Sequence, residues 1–238
     1  MRSAAGLVTS ATLSAAFLLL VAGSASAELI TVRSGQSSLV PGSVGQADDT
    51  VRYLPINPPG APVSAAPFTP ADFAGALAGP AAHVILPLAP PWTPGISDPA
   101  ARWINFSVEA TGYGTSGSSL YAVPFFVTTP GATTGNLNLE FAVDDGGGDA
   151  LYGGANPSFL YVNGIATGYA GGVYSGSTFH SQSISLSTGW NTIYLYQRDQ
   201  GLGVSGLIFS LTVDIVPTPG AGTLLALAGV VATRRRRA

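Results

Sequence analysis

From Arg102 onward, apolar and polar side chains alternate with a period of two. Ile104, Phe106 and Val108 alternate with Trp103, Asn105 and Ser107, and Tyr121, Val123, Phe125 and Val127 form a second such set. Pro124 interrupts that second set and pushes its strand toward an edge or a bulge. Leu137, Leu139, Phe141 and Val143 alternate with Asn138, Glu140, Ala142 and Asp144. Phe159 to Val162 run into Asn163-Gly164, a strong hairpin signal because both turn positions accept positive φ. Ile184 and Leu186 precede a Ser187-Thr188-Gly189 turn, and Ile193 and Leu195 then alternate with Tyr194 and Tyr196. Leu207, Phe209, Leu211, Val213 and Ile215 mark a long closing strand. Strands of this period, separated by Gly- and Ser-rich turns, predict an all-β fold, an antiparallel β-sandwich of the jelly-roll kind.

Upstream the pattern changes. Leu29–Val32 and Thr50–Tyr53 read as two short strands with a loop-like stretch between them. Residues 55–99 contain twelve prolines, which argues against a central strand. Phe68, Phe73, Leu77, Val84, Ile85, Leu86 and Trp92 make this stretch too apolar for a disordered linker, so an ordered wrap across a sheet is expected. One helix is readable inside it, over 71–77. Thr69 can cap, Pro70 takes the first position, Asp72 stabilises the first turn, and Gly79-Pro80 stop it.

The two ends follow neither pattern. Met1-Arg2, the apolar core Leu13–Val21 and the small residues Ala25-Ser26-Ala27 form a secretory signal peptide, with cleavage expected before Glu28. At the other end, Val216-Pro217-Thr218-Pro219-Gly220 precedes an apolar run of about a dozen residues, short of the ~20 of an ordinary spanning helix. Arg234, Arg235, Arg236 and Arg237 follow, a cationic stop of the kind retained on the cytoplasmic side. The chain thus divides into 1–27 signal peptide, 28–99 N-terminal strands and wrap, 100–216 sandwich core, and 217–238 tail. The signal and the tail are both expected to be helical.

Removing the ends changes the charge. Residues 28–216 hold four arginines and all twelve acids, a formal charge of −8, and the chain has no lysine. Such a surface argues against nucleic acid or an anionic membrane as a partner. With no cysteine, disulfides and thiolate metal sites are excluded, so packing must hold the fold.

The chemistry-bearing residues are few. Asp144, Asp145 and Asp149 flank a Gly-rich turn that could wrap calcium with carboxylates and backbone carbonyls, although the spacing is not that of an EF-hand. Equally, these side chains could cap the turn's own amides. No cofactor is required by the pattern; calcium is the one ion left open. Sugar binding would need exposed flat aromatics, and Tyr169 and Tyr174 in the Gly-rich stretch 164–176 are the candidates. Trp103 and Trp190 read as packing residues, whereas Tyr194 and Tyr196 occupy a face that a sandwich usually exposes. No catalytic residue is assigned. His83 and His180 are the only histidines, there is no Gly-x-Ser-x-Gly elbow, and Glu140 reads as a solvated mid-strand acid.

Two resemblances bear on these readings. The order of proline motif, apolar stretch and basic end resembles the PEP-CTERM sorting signal of exported bacterial envelope proteins, with Thr218 where that family usually has Glu. It implies signal peptidase and an exosortase-type sorting enzyme as partners, and membrane association through the tail before processing. Arg102-Trp103-Ile104, Leu137 through Asp145, Leu160-Tyr161-Val162-Asn163-Gly164, Gly189-Trp190-Asn191 and Gly206 through Phe209 together resemble a galactose-binding-domain-like jelly roll. That resemblance implies carbohydrate binding or adhesion. The sequence therefore points to an exported, non-enzymatic protein of a bacterial cell envelope, surface or extracellular matrix. The alternative is a carbohydrate-binding module that holds an extracellular polysaccharide, with or without calcium.

Overall fold

A computed structural model describes residues 27–57, 64–131, 134–200 and 203–215. The signal core, Ala25, Val216, Pro217, Thr218, Pro219 and Arg234 to Arg237 lie outside these residues.

The first strands are β1 (Glu28–Arg33), a small hairpin β2 (Gln36–Ser37) and β3 (Val40–Pro41), and β4 (Ala47–Asn57). The helix α1 (Pro70–Ala78) and β5 (Ala81–Val84) belong to the proline-rich stretch. Then come β6 (Ile104–Asn105), β7 (Ser118–Val127), β8 (Thr134–Val143), β9 (Leu160–Val162) and β10 (Ile165–Ala166). The chain closes with β11 (Thr178–Ser185), β12 (Gly189–Gln197) and β13 (Leu207–Ile215).

All pairings are antiparallel, and one curled sheet runs β10-β9-β12-β7-β4-β5-β6-β13-β8-β11, with β1 on β13. Curling lays β9-β12-β7-β4 over β13-β8-β11 as the two layers of a sandwich. Their facing side chains meet in one core that includes Tyr121, Val123, Phe125, Leu137, Leu139, Phe141, Leu160, Ile193, Leu195, Phe209 and Leu211. The rings of Phe141 and Phe159 stack across it at 4.6 Å. β1, β4 and β5 precede residue 100, so the N-terminal section completes the same sheet as the rest of the chain.

Local chemistry accounts for the details. Thr69 and Asp72 form a reciprocal capping box, and Pro70 opens α1 where its missing N–H costs no bond. Asn163 and Gly164, at φ 50° and 81°, make the tight β9–β10 turn. At Pro124 the strand β7 has only β12 beside it, because β4 pairs no further along β7 than Ala122. The expected strand around Ile104 shortens to two residues. The Asn105 amide instead donates to the Thr115 carbonyl and to Ser205, binding three loops together.

The proline-rich stretch covers part of both outer faces. On one, Phe73 and Ala76 of α1 pack with Phe68 on Leu120, Ala122, Tyr161, Tyr194 and Tyr196. The two strand tyrosines expected at the surface are therefore buried, since the strand face they occupy is roofed by a helix. On the other, Trp92 and Trp103 stack at 4.5 Å, and with Ile85 they lie over Ala142 and Ile208. Gly206 is needed here, because a Cβ would come within 2.9 Å of the Trp92 ring. The described part of the wrap, from residue 64, is held because its apolar side chains and the faces they cover bury one another.

Candidate functional site

The acidic turn follows β8. Asp145 and Gly146 take positive φ, and the extended Gly147 packs so closely that a Cβ would meet the Phe159 ring at 2.2 Å. The three aspartates of this turn have separate roles. Asp149 is fully buried and accepts from Ser64 Oγ (2.5 Å), the amides of Ser64 and Asn156 (3.2 Å each) and the Tyr196 hydroxyl (3.2 Å). It ties the start of the wrap to the turn. Asp145 accepts from the Gln200 amide at 2.8 Å. Asp144 is buried and pushed up to about 7, first by desolvation and then by the charges of Asp145 and Asp199. Desolvation, with Asp199 close by, raises Asp145 as well.

Asp199 is the acid that sequence reading missed. Its carboxylate accepts from Ser116 Oγ at 2.6 Å. Beside it Arg198 is wholly buried, with Nη2 donating to the Asp145 carbonyl and the guanidinium 3.6 Å above the Tyr152 ring. The adjacent charges Arg198-Asp199 at the end of an otherwise uncharged strand were the available signal. Among the described residues, no three His, Asp or Glu side chains converge closely enough to hold a metal ion.

Tyr169 and Tyr174 are half-buried packing groups in this structure. Tyr169 stacks on His180 at 3.6 Å with a 14° interplanar angle and meets Phe141 edge-on. Tyr174 packs on the Trp92–Trp103 cluster, and its carbonyl accepts from the Thr93 amide. Their loop is pinned by the Phe159 amide to the Tyr169 carbonyl at 2.6 Å and by a Gly147–Gly171 bridge.

Two open clefts among the described residues bear on ligand binding. One, of about 420 Å³, lies where the layers splay between β10 and β11. Val162, Ile184 and Leu186 form its floor, Ile165 projects at its mouth, and Asn163, Gln182, Ser183, Ser185 and Ser187 supply polar groups. It could not be read from the chain, because its two walls are terminal strands of different layers. A smaller cleft, of about 250 Å³, holds Glu140, Asp98, His180 and Phe179. Glu140 is not solvated: the wrap reaches it, with the Ser97 amide donating at 2.9 Å and the Ser97 hydroxyl donating too. Asp98 is engaged by Arg33 (2.5 Å) and Ser210 (2.7 Å).

A separate exposed feature is the cross-strand pair Phe126–Trp190, edge-to-face at 5.4 Å on the outer face beyond the reach of α1. Trp190 is thus at the surface, unlike the buried Trp92 and Trp103. At the same end, Glu28, the first residue after the expected cleavage point, accepts from the amides of Thr128 and Thr129 (2.9 Å each) and from Thr129 Oγ1. Desolvation opposes its ionisation, but these bonds outweigh it and hold the carboxyl below its usual range.

No family model matches the chain. No curated protein matches it either. Among solved structures, a family 35 carbohydrate binding module from Clostridium thermocellum is similar with TM-score 0.31 and 11% identity, covering 50% of this chain and 83% of that one. Another from an environmental isolate gives TM-score 0.30 and 15% identity, covering 52% and 81%. An uncharacterized protein, lmo2446 from Listeria monocytogenes EGD-e, gives 0.31 and 12%, covering 79% of this chain and 18% of that one. Likenesses this weak assign no ligand to the chain. The class is set by its own architecture, an all-β antiparallel sandwich whose outer faces are partly covered by the proline-rich stretch.

Proposed function

We propose that the chain is an exported, non-enzymatic envelope or matrix protein whose sandwich binds an extracellular polysaccharide. The observation that carries this reading is the cleft of about 420 Å³ between β10 and β11. It combines an apolar floor with side-chain amides and hydroxyls at its rim, the pairing that sugar rings, apolar on their faces and polar at their edges, require of a site. Binding is favoured over hydrolysis because Glu140 and Asp98, the acids of the other cleft, already accept hydrogen bonds from Ser97, Ser210 and Arg33. The two apolar ends support export, and the tail's order of motifs supports sorting and cleavage by an exosortase-type enzyme.

The test is native affinity electrophoresis of the protein through gels containing xylan, dextran or galactan, with and without a chelator. Retardation that is lost in Gln182→Ala and Ile165→Ala, both at the cleft, is expected. Calcium enters the reading only if the chelator abolishes retardation. Unretarded migration in every gel would remove the glycan reading. The sorting half is read separately, from the intact mass of the protein recovered from its host's surface.

A further inference from the structure

We propose that the end of the sandwich from which both chain continuations leave is a membrane-docking face, with Trp190 and Phe126 seated at the headgroup level of a phosphatidylcholine-like bilayer. This rests on the reading of the apolar ends as membrane-directed segments and applies to the precursor, before either end is cleaved.

The geometry begins with β1 and β13. Glu28 and Ile215 are cross-strand partners, so the described fold begins and finishes at the same end of the molecule. β7 finishes and β12 starts at that end too, Val127 opposite Gly189 and Phe126 opposite Trp190. Glu28 binds Thr128 and Thr129, and the Thr188 hydroxyl donates to the Thr129 carbonyl at 2.8 Å, so the end is tied into one surface. On it Trp190 is 71% exposed, Leu29 67% and Phe126 48%. An exposed tryptophan with an apolar body and a polar N–H suits the membrane interface better than bulk water.

Charge gives the same direction. Asp144, Asp145, Asp149 and Asp199 gather where β8 and β12 end, at the opposite pole. At the docking end the described acids are Glu28, held by the threonines, and the exposed Asp214 beside Leu29. A bilayer approached by this face meets aromatic and aliphatic side chains, while the acid pole points away from it. A glycan stacked on Trp190 is the competing occupant. The bilayer is favoured because, before the ends are cleaved, the apolar segments joined to Glu28 and Ile215 hold this end of the fold next to it.

The experiment uses the full chain reconstituted in phosphatidylcholine vesicles with brominated acyl chains, which quench nearby indoles. Trp92 and Trp103, 4% and 2% exposed, serve as unquenched internal references. Loss of Trp190 emission is expected, and it should disappear in Trp190→Phe. In that background Leu151→Trp, at a position 82% exposed beside the acid pole, should remain unquenched. A chain that floats with vesicles yet keeps its Trp190 emission overturns the docking face while leaving the membrane-directed ends intact. Quenching of the Leu151→Trp indole to the same degree overturns it as well. Failure to float overturns both. A Trp190 shift with soluble dextran and none with vesicles reassigns the pair to a glycan.

Discussion

Asp144→Asn should remove a pH dependence built into the acid pole. The Asp144 carboxyl titrates near 7 in the fold against 3.8 for the unfolded chain. The folded state therefore binds its proton more tightly throughout the interval between those values. Its contribution is fully present below about pH 4, declines as pH rises through that interval, and is flat above about pH 7. Ionisation at neutral pH places a charge in a desolvated position beside Asp145 and Asp199. At roughly 1.4 kcal/mol per tenfold change in proton affinity the ceiling is about 4 kcal/mol, and partial hydration of the turn brings the expected loss to about 1–2 kcal/mol. Asparagine keeps the shape and can still accept from Trp92, whose side chain bonds Asp144. The assay is urea unfolding of both proteins at pH 5 and pH 8, followed by tryptophan fluorescence. Wild type should lose stability between these values and Asp144→Asn should lose less, becoming the more stable protein at pH 8. Glu28 and Asp98, both held below their usual range, act in the other direction and only near or below pH 4. Parallel pH curves for the two proteins would refute the argument.

Two further perturbations probe how the wrap is held. Phe73→Ala empties the contact of α1 with Tyr161 and Tyr194 (centroids 5.4 and 4.9 Å) and should cost about 3–5 kcal/mol, with loss of near-ultraviolet tyrosine dichroism. An unchanged denaturation midpoint would mean that α1 does not cover the sheet in solution. Asp149→Ala strands the buried donors of Ser64, Asn156 and Tyr196, and should cost about 3 kcal/mol or more while opening the 150–157 loop to limited proteolysis. Wild-type protease resistance would count against the tie between wrap and turn.

The inner layer of the sandwich was legible because burial on one face writes a period of two into each strand. Leu137, Leu139, Phe141 and Val143 all face the core, as do Leu207, Phe209, Leu211, Val213 and Ile215. Cap chemistry likewise placed α1 to within a residue at each end. What lies over the outer faces was less legible. Tyr194 and Tyr196 look like surface residues from their strand alone, and it is Phe68 and Phe73, far earlier in the chain, that cover them. Glu140 is taken from solvent in the same way, by Ser97 of the wrap. An alternating strand specifies which face turns inward; it carries no signal for a distant segment that later roofs the other.

The same limit governs the candidate sites. Tyr169 and Tyr174 were singled out for the glycine-rich loop that carries them, yet that loop folds down on Phe141 and Val143, where a Cβ on Gly172 would come within 2.4 and 2.6 Å. Gly172 permits that close approach, and the Phe159–Tyr169 hydrogen bond and the Tyr174 contact with the Trp92–Trp103 cluster draw the aromatics inward. Trp190 shows the converse. It shares the outer strand face with Tyr194 and Tyr196, but α1 packs on those two and not on it, and its ring meets Phe126 edge-on in the open. The two surfaces proposed for binding are both ones the proline-rich stretch leaves bare: the splayed edge between β10 and β11, and the end that carries Trp190 and Phe126. The wrap, by burying Tyr194, Tyr196, Ala142 and Ile208, narrows the sheet surface on which the proposed contacts could form.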